Sequence, residues 1–524
     1  MKKDLTLTLE MLVELFINKA INIQLIRERD KIYFRNQFYN LLGLDVAQLA
    51  QPVVIPPEFQ ANDNISLADF AEMIYLSLDG NQVGGLGETK EQTETALINI
   101  FLPAPSIVEE KVASLWRYSG VATAMEWYYR FSQNTNYIKT ADIAKNQSWK
   151  SPTIYGELEI TINLSKPEKD PLEIARAKLA KPTTVNYPKC LLCIENEGYA
   201  GSFNQPARHN HRILSLTLNN QPWFFQYSPY AYYPEHSIII NPTHRDMVIN
   251  RETFINLLDF VDLIPHYLIG SNSDIPIVGG SILTHDHYQA GNYVFPIERA
   301  TVKKSYQLPQ FPQVTVNYLL WPVTTLQLIG GRNELLKLTM LIIKHWYGYS
   351  NPELEILATD GNGNRHNAIT PVARKLADGK YVLYLMLRNN RTTCEHPEGI
   401  FHPHRHLHHI KKENIGLIEA MGLAILPGRL QNELAEIEKL LLINDKAIAL
   451  SQLLFDETLL KHETWLAELY LKYGSFSDCN VQQILKNEVT EKFAQVLECS
   501  GVFKNNVLGD AAMDGFIGRC QNSI

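Results

Sequence analysis

Cysteine, long apolar runs and surplus positive charge are all scarce in this sequence. Six cysteines are spread over 524 residues, so a disulfide framework is not expected. No stretch approaches the ~18 apolar residues that a membrane-spanning helix requires. Lys and Arg number 48 against 56 Asp and Glu, whereas a nonspecific nucleic-acid binder needs an excess of cations. We therefore expect a protein with no membrane segment and no nucleic-acid partner.

The N-terminus also lacks the pattern of a secretory signal. The chain opens on the basic tripeptide MKK, but Glu10, Glu14 and Lys19 interrupt the apolar stretch that follows. A signal peptide needs an uninterrupted apolar core. The expected location is therefore the cytoplasm.

What is present is the composition of an ordinary globular protein, with 45% hydrophobic and 20% charged residues. A chain of 524 residues exceeds the length at which one hydrophobic core stops growing. We expect about two or three structural units.

The hydrophobic pattern predicts an α+β protein. Apolar residues at helical spacing over 8–26, and a capped helix start at Ser66, make the first part mainly helical. Residues 157–164 alternate as a strand does, and short β-branched runs at 223–227, 237–240, 314–320 and 381–388 follow. Helical spacing appears at 334–347 and returns at 433–442 and 463–473. The prediction is an antiparallel or mixed sheet between helical N-terminal and C-terminal segments.

These patterns suggest four segments. They are a helical region at 1–155, a catalytic half at 156–330, a second half at 331–430 and a helical region at 431–524.

The most informative stretch is 274–291, which reads DIPIVGGSILTHDHYQAG. If the backbone is extended after the glycine pair, His285, His287 and Gln289 project to one side, because side chains alternate along a strand. Such a row is poor core material, since each polar group would need a hydrogen-bond partner. It suits a phosphate site.

The chemistry of this row favours covalent catalysis. A neutral imidazole can attack phosphorus and divide one transfer into two steps. A carboxamide N–H can bond a phosphoryl oxygen, and Gly279 and Gly280 leave their backbone N–H groups open to close approach. The alternative is a set of hydrogen-bonded core or surface histidines.

A second motif, Cys190-Leu191-Leu192-Cys193, has the spacing that lets two thiolates reach one zinc ion. Two further ligands are then needed, and His236 and His285 are the natural candidates. The resulting Cys2His2 site would be structural and would pin the catalytic strand to the sheet. The alternative is a pair of reduced, partly buried thiols.

Arg208 and Asn210, in the segment PARHNHR, are candidates for contacting the phosphate groups of a substrate. A guanidinium forms forked bonds to phosphate oxygens, and an acidic chain needs local cations for an anionic substrate. A solvated basic loop is the alternative.

Taken in order, the two-cysteine motif, the segment Pro-Glu-His236-Ser and the block at 274–291 resemble galactose-1-phosphate uridylyltransferases of the bacterial class II branch. The block carries that branch's signature, Gly-Gly-Ser281 followed by His-x-His-aromatic-Gln-x-Gly. Further similarity lies at 193–212, 225–233 and 408–430, so the resemblance covers most of the chain.

The resemblance implies a fold of the histidine-triad-like superfamily and a ping-pong transfer of UMP. UDP-glucose and galactose 1-phosphate would give glucose 1-phosphate and UDP-galactose in galactose metabolism, with no organic cofactor. It implies that His287 is the nucleophile and that Gln289 holds the phosphoryl oxygen. Gln289 stands where histidine-triad hydrolases carry a histidine, and a carboxamide cannot relay a proton to water as imidazole does. The family also implies a homodimer.

Further roles follow from the resemblance alone. Asn272 corresponds to an asparagine that contacts phosphate, and Lys412 with Glu419 to residues that bind the hexose phosphate. The zinc ligands of the family's class I enzymes correspond to Cys190, Cys193, His236 and His285. Charged surface positions are the alternative for Lys412 and Glu419.

The histidine-rich tract at 402–409 (HPHRHLHH) has three possible roles. An extended chain would place alternate histidines on one face, as a second metal site requires. Surface histidines or groups lining a sugar-phosphate pocket are equally consistent.

Two rival functions also remain. A nucleotide phosphorylase or hydrolase of the same superfamily would use phosphate or water as acceptor. A noncatalytic nucleotide or metal sensor would keep the scaffold without the chemistry.

Overall fold

A computed structural model describes residues 7–45, 53–56, 59, 65–78, 86–87, 89–165, 187–202, 205–280 and 282–522. It is an α+β structure, as the sequence pattern predicts. None of the helices in these ranges is both long and apolar enough to cross a bilayer.

Helices form the first part of the chain. They are α1 Leu9–Asn22, α2 Lys31–Leu42, α3 Leu67–Ser77, α4 Lys90–Asn99, α5 Pro105–Ser119, α6 Val121–Asn134 and the short α7 Thr140–Ile143. The predicted start at Ser66 is confirmed, because its side chain accepts a hydrogen bond from the Asp69 backbone N–H while the Asp69 carboxylate bonds back to Ser66. Around Phe16, Phe38 and Phe101 the first four helices bury a small core of their own.

Thirteen strands lie within the described ranges. They are β1 Gln147–Thr153, β2 Gly156–Asn163, β3 Leu214–Leu218, β4 Gln221–Tyr227, β5 Ser237–Ile240, β6 Leu268–Gly270, β7 His287–Gly291, β8 Val302–Tyr306, β9 Thr315–Leu319, β10 Thr325–Gly330, β11 Asn367–Lys375, β12 Tyr381–Asn389 and β13 Leu423–Pro427. Five of them, β2, β4, β5, β9 and β12, confirm runs that the sequence predicts as strands.

Ten of these strands form one antiparallel sheet, in the order β3-β4-β5-β7-β6-β11-β12-β10-β9-β8. A smaller sheet pairs β1 antiparallel and β13 parallel to β2. The remaining helices are α8 Arg251–Leu263, α9 Arg332–Tyr347, α10 Leu417–Ala420, α11 Leu430–Leu442, α12 Lys446–Leu453, α13 Glu463–Tyr473, α14 Val481–Ser500 and α15 Val507–Gln521. Helices α9, α11 and α13 confirm the predicted helical segments.

The large sheet separates two hydrophobic cores. One face packs on α5, α6, α8, α9 and α15, and the other packs on the small sheet and the helices α11 to α14. Each core contains residues from chain segments that are far apart in sequence. The predicted division of the chain into four segments, with boundaries at 155, 330 and 430, stays a prediction. The strands β5, β7 and β6 lie side by side in this sheet, and β5 and β7 form the floor of the candidate site.

Candidate active site

An open cavity of about 700 Å³ lies over strands β5 and β7. Its walls come from the end of β6, the loop before β7 and the segment around α10. Of the residues singled out in the sequence, the cavity is lined by His236, Asn272, Gly279, Gly280, His287, Gln289 and Glu419.

Strand β7 presents His287 and Gln289 to the cavity. It pairs antiparallel with β5, so that His287 stands opposite Ile240 and Gln289 opposite Ile238. Tyr288, between them, points to the other face, where its ring stacks on Trp223 with centroids 4.9 Å apart. This alternation is the predicted one for two of the three residues in the row.

His285 does not continue that row. The strand begins at His287, and His285 instead places its Nδ1 3.2 Å from the Sγ of Cys190. The prediction that all three polar groups share one face is therefore wrong, because the period of two applies only where the backbone is extended.

The His287 ring is held as a neutral imidazole with a defined tautomer. Its Nδ1 lies 2.7 Å from the backbone oxygen of His285, and a carbonyl oxygen can only accept, so Nδ1 carries the proton. Burial lowers the pKa of His287 to about 4. At neutral pH the other nitrogen, Nε2, therefore keeps a free electron pair.

Gln289 has unused hydrogen-bonding capacity. Its side-chain Oε1 is buried and has no partner among the described residues. A buried carboxamide without a partner costs free energy unless something else completes it. The group is therefore available to a ligand bound against His287.

The glycine pair brings the backbone close to the cavity floor. A Cβ added at Gly280 would lie 2.6 Å from the Nδ2 of Asn272, and one at Gly279 would lie 2.4 Å from the Ser273 backbone oxygen. The Oδ1 of Asn272 accepts a hydrogen bond of 2.9 Å from the Leu417 backbone N–H. Asn272 therefore ties the glycine loop to α10. Ser281 lies outside the described residues.

The cationic group that pairs with Glu419 is Lys411, and the predicted substrate contact of Lys412 stays a prediction. Lys411 is buried, with its Nζ 2.6 Å from Glu419 Oε1 and 3.3 Å from Glu413 Oε2. Burial alone would lower the pKa of Lys411, but these two carboxylates raise it above its usual value. Lys412 is exposed. The chain is not regular here, so spacing alone could not identify the inward-facing lysine.

Two thiols and two imidazoles form a compact group below the start of β7. The Sγ atoms of Cys190 and Cys193 are 3.6 Å apart, and the Nδ1 of His244 lies 3.3 Å from Cys193 Sγ. Together with His285 Nδ1, the four candidate ligand atoms lie within 4.8 Å of one another. The Nε2 of His285 faces the Asn241 backbone oxygen at 2.8 Å, which leaves Nδ1 free to bind. These four residues could hold a metal ion.

His244 replaces His236 in the predicted ligand set. Strands β5 and β7 are antiparallel, so the chain just after β5 lies beside the chain just before β7. His244 follows β5 and meets His285, whereas His236 precedes β5 and lies roughly 15 Å further along the strand direction. The signal that could have identified His244 is its position after a strand, matched to the position of His285 before the neighbouring strand.

Arg208 and Asn210 are buried but are not among the residues that line the cavity. The Nδ2 of Asn210 donates a 2.7 Å hydrogen bond to the Thr135 backbone oxygen, and the Arg208 guanidinium lies over the Tyr137 ring. Both secure the segment that follows α6. Their predicted contacts with substrate stay a prediction.

The histidine tract is folded rather than extended. Residues Arg405–Leu407 form a 3-10 turn, and ring nitrogens within the tract face backbone oxygens, as His408 Nε2 faces Pro403 O at 2.8 Å. His402 Nε2 lies 3.1 Å from Asn414 Oδ1, and Asn414 lines the cavity. Over the described ranges, the group of Cys190, Cys193, His244 and His285 is the one metal-binding arrangement found.

Comparison with known proteins identifies the class. Two family descriptions match, "Galactose-1-phosphate uridyl transferase, N-terminal domain" over residues 24–246 and the corresponding C-terminal domain over residues 260–458. These matches define a nucleotidyltransferase. The chain belongs to the galactose-1-phosphate uridylyltransferase family.

Relatives match over nearly the whole length. The galactose-1-phosphate uridylyltransferase of Clostridium acetobutylicum is 45% identical over 506 residues, which cover 96% of this chain and 98% of the relative. That of Lactococcus lactis is 44% identical over 509 residues, or 97% and 98% of the two chains. Among solved structures, yeast Ap4A phosphorylase matches 58% of this chain and 89% of its own at 12% identity, with a TM-score of 0.31, a similarity too low to bear on the fold.

Proposed function

We propose that this protein transfers UMP from UDP-glucose to galactose 1-phosphate, giving glucose 1-phosphate and UDP-galactose, and that His287 carries the UMP between the two sugar phosphates. Relatives over 40% identical along nearly the full chain bear the name of this activity. The observation that carries the residue assignment is the His287 ring, which is neutral, oriented by the His285 carbonyl and open to the cavity through Nε2.

In the first half-reaction, the Nε2 electron pair of His287 attacks the α-phosphorus of UDP-glucose. A nitrogen–phosphorus bond forms, the bond from that phosphorus to the bridging oxygen breaks, and glucose 1-phosphate leaves with the electron pair. The ring then carries a positive charge shared with Nδ1–H. The His285 backbone oxygen accepts a hydrogen bond from that N–H and so stabilises the charged intermediate.

In the second half-reaction, a phosphate oxygen of galactose 1-phosphate attacks the same phosphorus. The nitrogen–phosphorus bond breaks, and His287 recovers its electron pair and its neutral form. No proton needs to be relayed through the ring, because the leaving and entering sugar phosphates are already ionised, and His287 attacks and leaves as a neutral imidazole that keeps its proton on Nδ1. A single cavity can therefore serve both halves.

Gln289 and the glycine loop would stabilise the phosphoryl group during transfer. The side chain of Gln289 lies two residues along the same strand face, so its amide N–H can bond a nonbridging oxygen. Backbone N–H groups of Gly279 and Gly280 would add further bonds, since no side chain blocks their approach. We assign the sugar of the hexose phosphate to the Lys411 and Glu419 wall, on the ground of its position, and keep Lys412 as the candidate cation for its phosphate.

A carboxamide at position 289 also favours the sugar phosphate over water. Water must lose a proton to attack phosphorus, and a carboxamide is neither an acid nor a base near neutral pH. This supports the transferase over a hydrolase of similar design.

We assign zinc to the group of Cys190, Cys193, His244 and His285, since two thiolates and two imidazoles are the donor set of structural zinc sites. The ion would hold the loop that precedes β7 and so fix the position of the His285 carbonyl. It would supply no chemistry to the transfer. We further expect a homodimer in the cytoplasm.

The half-reaction separates the candidate functions. Protein incubated with UDP-glucose alone should release about one equivalent of glucose 1-phosphate per active site and retain one acid-labile UMP. Continuous release of UMP would indicate a hydrolase, continuous turnover only with added inorganic phosphate would indicate a phosphorylase, and the absence of any release would indicate a binding protein.

A further inference from the structure

His236 is the least explained residue of the cavity. The ring is 3% exposed, and neither Nδ1 nor Nε2 has a hydrogen-bond partner among the described residues. It packs between Tyr233, at 4.5 Å between centroids, and Tyr232, at 5.5 Å. Buried polar groups are normally paired, so an imidazole with both nitrogens unpaired, on the wall of a cavity, indicates that a ligand completes it.

The position of His236 is set by the register of the sheet. Ile240 stands opposite His287, and Ile238 stands opposite Gln289. His236 is two residues before Ile238, so it lies on the same side of β5 as the cavity-lining Ile238. It therefore stands about 13 Å along the strands from the level of His287.

The surroundings of His236 suit a polyhydroxylated ligand. Lys411, Glu419 and Tyr232 line the same cavity, and the Tyr232 ring flanks that of His236. Charged groups and an aromatic ring in one cavity match the polar edge and the apolar face of a pyranose. The α-phosphate must lie at His287 for the proposed reaction, and the sugar joined to it through the second phosphate can extend toward this end of the cavity.

We propose that His236 is a sugar-binding residue, whose neutral imidazole exchanges hydrogen bonds with a hydroxyl group of the hexose. A hydroxyl both donates and accepts, and a neutral imidazole offers one donor and one acceptor nitrogen. This inference rests on the proposed function, and it adds a determinant of hexose selectivity. Burial lowers the pKa of His236 to about 3, so the ring stays neutral over the working pH range.

The test pairs a residue change with a substrate change. UMP transfer is measured for wild type and His236→Phe with galactose 1-phosphate and with its 2-, 3-, 4- and 6-deoxy analogues. For wild type, kcat/KM should fall about tenfold or more when the contacted hydroxyl is removed. For His236→Phe, kcat/KM should fall by a similar factor with galactose 1-phosphate, and removal of that same hydroxyl should then have no further effect.

Two other variants guard against a purely structural effect. His236→Gln keeps a donor and an acceptor, so it should retain part of the discrimination among the deoxy analogues. This variant tests the proposal even if His236→Phe does not fold. His211→Phe removes another buried histidine, whose Nε2 is bonded to Gln226 away from the cavity lining. It should lower Tm without changing the order of preference among the analogues.

The outcomes separate the two proposals. Two results would show that His236 does not bind the sugar, provided that wild type transfers UMP and His236→Phe folds. Either the variant discriminates among the deoxy analogues as wild type does, or its kcat/KM falls by the same factor with every analogue. If wild type transfers no UMP to any sugar phosphate, the proposed function itself fails.

Discussion

Replacing Gly280 by alanine tests how tightly the glycine loop is fitted to the cavity floor. The new Cβ would lie 2.6 Å from Nδ2 and 2.9 Å from Cγ of Asn272, well inside normal contact. Asn272 must then move, and its 2.9 Å bond to the Leu417 backbone N–H is strained or lost. Overpacking of this kind costs about 1–3 kcal/mol, and the lost hydrogen bond about 1 kcal/mol.

The expected loss of unfolding free energy in Gly280→Ala is therefore about 2–4 kcal/mol. Because Asn272 lines the cavity, its displacement should also lower kcat/KM, by roughly 10- to 100-fold for a shift approaching 1 Å. Stability is measured by guanidinium unfolding, and activity by release of glucose 1-phosphate in the complete reaction.

Gly515→Ala is the matched control. Gly515 is exposed within α15, and a Cβ there meets nothing within 4 Å. Alanine favours helix by up to about 1 kcal/mol over glycine, so this variant should be slightly stabilised with unchanged activity. If Gly280→Ala kept wild-type stability and activity, Asn272 would be free to move and the close approach would not constrain the site.

Three further predictions concern the metal group, the buried Lys411 and the effect of low pH on stability. His244→Asn should lose bound zinc and His236→Asn should retain it, as measured by metal analysis of the purified variants; retained zinc in the first would contradict the ligand set. Lys411→Met should lower the unfolding free energy by about 3–5 kcal/mol, because it leaves the buried Glu419 carboxylate without its cation, whereas Lys412→Met should have little effect. Because the pKa of His287 is lowered to about 4, the unfolded chain takes up its proton first, near pH 6.5. As pH falls from about 6.5 to 4 this ring should therefore reduce stability by about 3 kcal/mol, whereas the rate of UMP adduct formation should show no titration near pH 6.5.

Local patterns were sufficient to predict the fold class and five of the thirteen strands in the described ranges. The alternation at 157–164 predicts β2, and the apolar run at 237–240 predicts β5. Side chains alternate between the two faces of a strand, and both strands bury apolar side chains. The same period of two predicts that His287 and Gln289 project from one face of β7. These features depend on neighbours along the chain, which sequence displays directly.

One correction arises where distant segments meet, and another at the start of a strand. His244 was missed because its place beside His285 depends on the register of β5 against β7, and no local pattern encodes that register. The ion pair between Lys411 and Glu419 could not be predicted, because the direction of adjacent side chains in an irregular segment depends on packing; the role of Lys412 stays a prediction. His285 does not share a face with His287 and Gln289, because the strand begins two residues after His285.

The most direct test of the account is to locate the UMP after reaction with UDP-glucose labelled in its α-phosphate. Rapid digestion under alkaline conditions, which preserve a phosphoramidate, and mass spectrometry should find the label on Nε2 of His287, with none bound in His287→Gly. Label on another side chain, or a full equivalent of covalent label in that variant, would contradict the assignment of His287 as the group that carries UMP.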